Sequence, residues 1–295
     1  MNILITGATG NVGRIPFEYL STDKENKVVG ISSKTEGNGI EKFDLATADE
    51  EQITNLIERH QIDSVVHFAA ILKMTTIPEK EFTSRAIEKF LSNPKGKDLK
   101  YVVIGSVAEY GPQTAANLDE NTPELPTSDY GKEKLNQTRI CQKYIKEGMD
   151  ITVLRLLNVI APHLPPGSFV GSTLDAMKKG SSGEININSQ DIERDLLDLR
   201  DLSLLVEKIL KSEKKPDIYN VGSGKNINYG EFLKICFSYI PLENRPVVNI
   251  LGGIEPLNKT VAIIDKVENA FNWMQKYTLE ESIKWCLKEN NLIEE

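Results

Sequence analysis

Tyr130 and Lys134 stand four residues apart in a segment, Asp129–Glu147, whose polar and apolar residues repeat with helical spacing. Four residues on a helix put both side chains on one face. A phenol with its usual pKa near 10 is a poor proton donor or acceptor at neutral pH. An ammonium ~4 Å away in a partly dry site supplies at most roughly 4 kcal/mol, about three pKa units, which predicts a phenol drawn toward the working range. Such a pair also arises by chance. It gains weight from a hydroxyl, Ser106, just past the apolar run Tyr101–Ile104. A serine there lies in the crevice where parallel sheets take their ligands.

A third feature precedes both. Thr6-Gly7-Ala8-Thr9-Gly10-Asn11-Val12-Gly13 follows a β-branched run, Ile3–Thr6, and leads into a helical segment reaching about Leu20. Glycines there permit a tight turn and a close backbone approach to a pyrophosphate, whose charge suits a helix N-terminus. Many glycine turns are only structural, but this one sits between a strand and a helix. A dinucleotide site of this kind usually carries a carboxylate about 20 residues on, for a ribose hydroxyl. Here that place holds Ser32, Ser33 and Lys34. Two hydroxyls and an ammonium suit a 2′-phosphate better, so NADP(H) is expected ahead of NAD(H). The plain alternative is a polar loop that touches nothing.

The elements that position these groups alternate. Strand signals at 3–6, 28–32, 64–68, 101–104 and 151–156 are separated by helical ones, Thr47–His60 among them. That pattern implies an α/β fold with a parallel, doubly wound sheet covered on both faces. After Asn158 the texture breaks at Pro162, Pro165, Pro166 and Gly167. A dinucleotide domain over 1–157 and 195–222 is expected, with a smaller, C-terminal substrate-binding domain over 158–194 and 223–295. Pro16 predicts a kink or a late start for the first helix.

The chain has 295 residues, 40% of them hydrophobic and 26% charged, which is ordinary for a globular protein. Its 35 basic and 43 acidic residues give a net charge of −8 with no basic block, which argues against a nucleic-acid partner. Cys141, Cys236 and Cys286 lie far apart, without metal-ligand spacing, and read as thiols in a reducing compartment. No metal site is expected. No apolar run reaches the ~18 residues of a membrane helix, and the strand-like start at Asn2 does not read as a leader, so the cytoplasm is the default.

Taken together, these motifs resemble the extended short-chain dehydrogenase/reductases, in the NAD-dependent epimerase/dehydratase group. Further matches are Asp44-Leu45, His67-Phe68-Ala69-Ala70, Arg155-Leu156-Leu157-Asn158, Arg194-Asp195 and Tyr219-Asn220-Val221-Gly222. The resemblance covers nearly the whole chain and implies a Rossmann-like fold. It implies that Ser106, Tyr130 and Lys134 are catalytic. It places Asp44 and Leu45 at the adenine and Phe68, Ala69 and Ala70 beside the pyrophosphate. Ser106, Ala108, Asn158 and Arg194 would meet the substrate, commonly a nucleotide-linked sugar in this group. A homodimer across the helix of Tyr130 is implied too. Related dehydratases carry an acidic pair at 107 and 108, and epimerase-reductases a cysteine at 108. Val107 and Ala108 can do neither job, so the likeness is nearest to 4-keto-6-deoxyhexose reductases. A 4-epimerase retaining its NAD is the alternative, and an NADP-sensing regulator without turnover the rival from another class. Thr83 stands where the group often has a proton-relay asparagine.

Overall fold

The computed structural model describes residues 1–72, 74–113, 117–252 and 261–294. In chain order its strands are β1 (Asn2–Thr6), β2 (Lys27–Ser32), β3 (Ile40–Lys42), β4 (Ser64–His67), β5 (Lys100–Ser106), β6 (Asn117–Leu118), β7 (Asp150–Leu156), β8 (Asn158–Ile160), β9 (Glu184–Ile187), β10 (Glu193–Asp198), β11 (Asp217–Val221), β12 (Asn226–Asn228), β13 (Val247–Ile250) and β14 (Val261–Ala262). The helices are α1 (Arg14–Leu20), α2 (Glu50–His60), α3 (Ile77–Lys80), α4 (Phe82–Leu91), α5 (Asp129–Lys146), α6 (Phe169–Lys178), α7 (Leu199–Lys211), α8 (Tyr229–Ser238), α9 (Asp265–Phe271) and α10 (Leu279–Glu289).

Seven strands form one sheet in the order β11-β7-β5-β4-β1-β2-β3, with every neighbouring pair parallel. Side chains along a strand alternate between the faces of a sheet. Ile3, Ile5, Val102, Ile104, Leu154 and Leu156 accordingly pack on one side with Phe17 of α1, Leu205 of α7 and Val267 of α9. Leu4, Tyr101, Val103, Ile151 and Val153 pack on the other with Leu56 of α2, Phe90 of α4 and Cys141 of α5. Both faces are buried, so the strands read as nearly continuous apolar runs. This is the doubly wound, Rossmann-like arrangement expected from the alternation of elements.

A smaller sheet, β12-β10-β8, lies outside the first, and residues 195–198 belong to it through β10. Its core is separate: Ile160, Leu174, Ile185, Leu196, Phe232 and Ile283 cluster with neighbours from α6, α8 and α10. Helix α1 begins only at Arg14, so Pro16 is its third residue. An amide there has no partner within the helix, and the proline costs no hydrogen bond.

The C-terminal segment is tied back by Trp273, which is 1% exposed and donates its indole N–H to the Asp201 carbonyl at 3.2 Å. Trp273→Ala removes a large buried ring as well as that bond. Urea unfolding of this variant is expected to show a loss of about 3–5 kcal/mol.

Candidate active site

Parallel register puts the carboxyl ends of the central strands on one edge. Thr6 pairs with His67 across β1 and β4, and Ser106 with Leu156 across β5 and β7. Strand β1 has β2 on one side and β4 on the other, so the strand order reverses there, where open α/β sheets bind ligands. A cleft of about 560 Å³ opens at that edge.

The glycine turn forms one wall of this cleft. Gly7 has φ +68°, and its carbonyl accepts the Gly10 amide at 2.9 Å. A Cβ on Gly13 would sit 2.4 Å from the Gly7 carbonyl oxygen, so only glycine permits the turn to close. Among the described residues, the amides of Asn11, Val12 and Gly13 have no backbone acceptor. They line the cleft together with Gly7, Thr9 and Gly10. Unpartnered amides on a glycine turn at a helix start suit an anion, so this wall fits a dinucleotide pyrophosphate.

The structure brings the other expected cofactor residues into the same cleft: Ser32, Ser33 and Lys34; Asp44 and Leu45; Phe68, Ala69 and Ala70; Tyr130 and Lys134. The Ser32 hydroxyl is already engaged, accepting from Thr9 Oγ1 and from the amides of Lys34 and Thr35 at 3.2–3.3 Å. It shapes the loop and leaves Ser33 and Lys34 exposed. Glu36, the nearest following carboxylate, does not line the cleft. Sequence reasoning missed Lys89 of α4. Its ammonium donates to the carbonyls of Leu45, Ala46 and Ala48 at 2.7, 3.2 and 2.7 Å and fixes the 44–48 segment of the wall. No local motif marks it, because its partners lie more than 40 residues away.

Ser106 is the last residue of β5. Its Oγ accepts the Ala108 amide at 3.2 Å, and its own amide donates to Glu109 Oε1 at 2.8 Å. Helix α5 is capped by Ser128, whose Oγ accepts the Gly131 amide at 3.0 Å, and so presents Tyr130 in its first turn. The Ser106 hydroxyl faces the Tyr130 phenol. A second cavity of about 240 Å³ is lined by Val107, Ala108, Gly111, Leu118, Thr127 and Ser128, among others. Val107 and Ala108 follow Ser106 directly, and Thr127 and Ser128 precede the helix of Tyr130. Asn158 and Arg194 stand on the small sheet, and neither lines the cleft or this cavity. Arg194 lies 5.7 Å from the ring centroid of Tyr229 and donates to the Glu193 carbonyl.

Residues 3–222 match the model of the NAD dependent epimerase/dehydratase family. The chain belongs to this family. Relatives of this epimerase/dehydratase-family enzyme include a dTDP-6-deoxy-L-talose 4-dehydrogenase (NAD(P)(+)) from Kitasatospora kifunensis, 25% identical over 96% of this chain and 93% of that one. A putative UDP-arabinose 4-epimerase from Arabidopsis thaliana is 26% identical over 96% of this chain and 78% of that one. Among solved structures, the UDP-glucuronic acid 4-epimerase of Bacillus cereus, in complex with UDP-glucuronic acid and NAD, superposes with a TM-score of 0.83. It is 19% identical, with 99% of each chain covered. The dTDP-glucose 4,6-dehydratase of Bacillus anthracis, in complex with NAD, gives 0.81 at 21% identity, with 99% and 98% covered.

The electrostatics of the family enzyme's site depart from the expected lysine-activated phenol. Burial pushes the Tyr130 phenol up from its usual 10; the hydrogen bond with Ser106 opposes this, and nearby Glu109 adds to it. Lys134 is 1% exposed and is turned elsewhere, donating to the Ile104 carbonyl at 2.6 Å and to Gln137 Oε1 at 3.1 Å. Its own pKa is brought down to about 8, chiefly by burial. Burial is thus the largest influence on the phenol, and it acts upward.

His67, at the end of β4, is fully buried, with Nδ1 2.9 Å from Thr6 Oγ1. The same threonine oxygen accepts the Ala69 amide at 3.2 Å, which ties the imidazole to the cleft wall. Thr83 Oγ1 and His67 Nε2 are both buried without a hydrogen-bond partner. Burial, reinforced by Lys134, lowers the imidazole from 6.5 to about 3. An unfolded chain takes up a proton here below about pH 6.5, while the folded one does not until about pH 3. Stability contributed by this group is thus present above pH 6.5 and is lost as pH falls toward 3. At pH 4.5 the loss is about 2–3 kcal/mol. His67→Asn keeps an acceptor for Thr6 but cannot titrate. Urea unfolding at pH 6.5 and at pH 4.5 should show the smaller acid loss in this variant, by about that amount.

Proposed function

We propose that this enzyme is an NADP-dependent reductase of a keto group, C-4 in the favoured case, on a nucleotide-linked deoxyhexose in the cytoplasm. The observation that carries the proposal is the placement of Tyr130 and Lys134 on the wall of the cleft that holds the glycine turn, with Ser106 at the end of the neighbouring strand. Net reduction needs a cofactor that exchanges at each turnover, and the exposed Ser33 and Lys34 of the cofactor loop favour an exchanging NADPH.

The nicotinamide cofactor, when bound, supplies the hydride. Tyr130 donates its proton to the developing alkoxide. The Ser106 oxygen accepts from the Ala108 amide, which leaves its own O–H to donate to the same oxygen. Lys134 holds a positive charge at neutral pH within the cleft and serves the ribose. Cofactor selection falls to exposed Ser33 and Lys34, where a 2′-phosphate would find a hydroxyl and an ammonium. The second cavity accepts the sugar. None of its described lining residues is titratable, so nothing there removes a second proton, as dehydration or C-3/C-5 epimerisation requires. Asn158 and Arg194 are assigned to the nucleotide-diphosphate side of the substrate.

A relative named for an NAD(P)-dependent 4-dehydrogenase of a dTDP-deoxyhexose supports the substrate class. Relatives named as UDP-sugar 4-epimerases favour a second reading, in which NAD stays bound and the sugar is inverted at C-4. The two part on one measurement. The reductase is expected to oxidise NADPH against a panel of nucleotide-linked 4-ketohexoses and to leave gel filtration without nicotinamide. Stoichiometric bound NAD, with interconversion of two saturated nucleotide sugars and no added cofactor, would establish the epimerase instead. Assembly as a homodimer along α5 belongs to the proposal. Exposed residues of that helix, Lys132, Asn136, Arg139 and Lys143 among them, make the seam polar, and sedimentation at micromolar concentration reads it.

Tyr130→Phe is expected to lower kcat by about 10²–10⁴-fold with cofactor affinity nearly unchanged, because the ring still packs and only the proton donor is lost. Retention of the parent kcat would exclude Tyr130 as the acid. Fluorescence titration is expected to give NADPH a tighter Kd than NADH by roughly 10- to 150-fold, the worth of one charge-assisted contact. Equal affinities would refute the preference.

A further inference from the structure

Glu109 is a buried carboxylate that the proposed chemistry leaves unused. It is 0% exposed, although glutamate is rarely found so deep without a partner. Its partner is Arg155 of β7, 1% exposed, whose Nε donates to Glu109 Oε2 at 2.7 Å. Arg155 is itself fixed by Glu124, by the Tyr110 hydroxyl at 3.1 Å, and by lying 4.8 Å over the Tyr110 ring. The other carboxylate oxygen, Oε1, accepts the Ser106 amide. On the same strand, one peptide away, the Ile104 carbonyl accepts from Lys134. Gly105 lies between them, and a Cβ there would come within 2.7 Å of Glu109 Oε1. Glycine at 105 therefore leaves room for the Glu109 carboxylate behind Ser106.

We propose that Glu109 is a positioning residue of the reaction: held by Arg155, it fixes the backbone of Ser106 and provides the counter-charge for the buried ammonium of Lys134. The proposal rests on the reading that Ser106, Tyr130 and Lys134 do the chemistry. The titratable groups around Lys134 are Glu109, on the turn after β5, Glu133 and Cys141, on α5, and His67, at the end of β4. The two carboxylates favour its charged form, while burial keeps the thiol and the imidazole neutral where Lys134 titrates. Among the charges that favour the ammonium, Glu109 is the largest, and it acts on Tyr130 in the same direction. Removing the carboxylate lowers both pKa values, so both groups lose their protons at lower pH.

The test is the titration of Lys134, read without substrate by nitrogen NMR of lysine-labelled protein and assigned with Lys134→Met. In Glu109→Gln the midpoint is expected to fall from about 8 by at least about half a pH unit. The new amide N–H faces the Arg155 Nε–H and can unsettle the fold, so Glu109→Gln/Arg155→Met, which removes both partners, is measured beside it. A Lys134 midpoint that stays put in both folded variants overturns the proposal. With a nucleotide-linked 4-ketohexose, the alkaline limb of kcat should move to lower pH while KM is nearly unchanged. A purely structural role would lower stability and leave both the midpoint and the limb in place. Because the NMR titration needs no turnover, a fallen midpoint with no reductase activity on any such sugar upholds the role of Glu109 and counts only against the reductase reading.

Discussion

The buried ammonium of Lys134 donates to the Ile104 carbonyl at 2.6 Å, and that bond joins the helix of Tyr130 to the strand of Ser106. A charge this deep is costly unless it is hydrogen-bonded and compensated. The neighbourhood supplies both: a carbonyl and an amide oxygen as acceptors, and the carboxylate of Glu109 as the strongest favourable charge. Burial still prevails and brings Lys134 to about 8. The same water-poor surroundings raise Tyr130. Burial thus moves both groups toward their neutral forms.

The sheet sets where these groups can meet. Its strands run parallel, so β1, β2, β4 and β5 all release their chains at one edge. Thr6, Ser32, His67 and Ser106 end those four strands. They are far apart in sequence and adjacent in the fold because each strand is followed by a crossover to the next position in the sheet. The two apolar clusters on either side hold that edge rigid. The smaller sheet, with its own core, carries Asn158 and Arg194 outside the cleft wall. Membership of the epimerase/dehydratase family agrees with this division of labour, since related enzymes reduce, oxidise or invert sugars on one scaffold.

Much of this was legible in the residues themselves. Apolar runs alternating with helical periodicity gave the parallel sheet, because strands buried on both faces cannot hide their composition. The glycine turn, Ser106, Tyr130 and Lys134 announced themselves by type and spacing, since turn geometry and helical period are local properties. Strand β3 and the short strands of the small sheet left little trace, for pieces of two to four residues carry no periodicity. Lys89 and Glu109 were invisible as site residues for another reason. A lysine on an amphipathic helix and a glutamate after a strand look solvent-exposed until the fold closes around them.

The sequence by itself therefore determined the architecture, the family and the chemical types at the cleft, all of which depend on local spacing and hydrophobic pattern. Only the tertiary structure decided the burial and the partners of those types. The expected ammonium-activated phenol assumed that Lys134 points its charge at Tyr130. Packing turned Lys134 toward Ile104 and Gln137 and placed Glu109 with Arg155 behind Ser106. Desolvation and hydrogen-bond partners are properties of the assembled site, set by residues up to 46 positions apart in the Glu109–Arg155 pair.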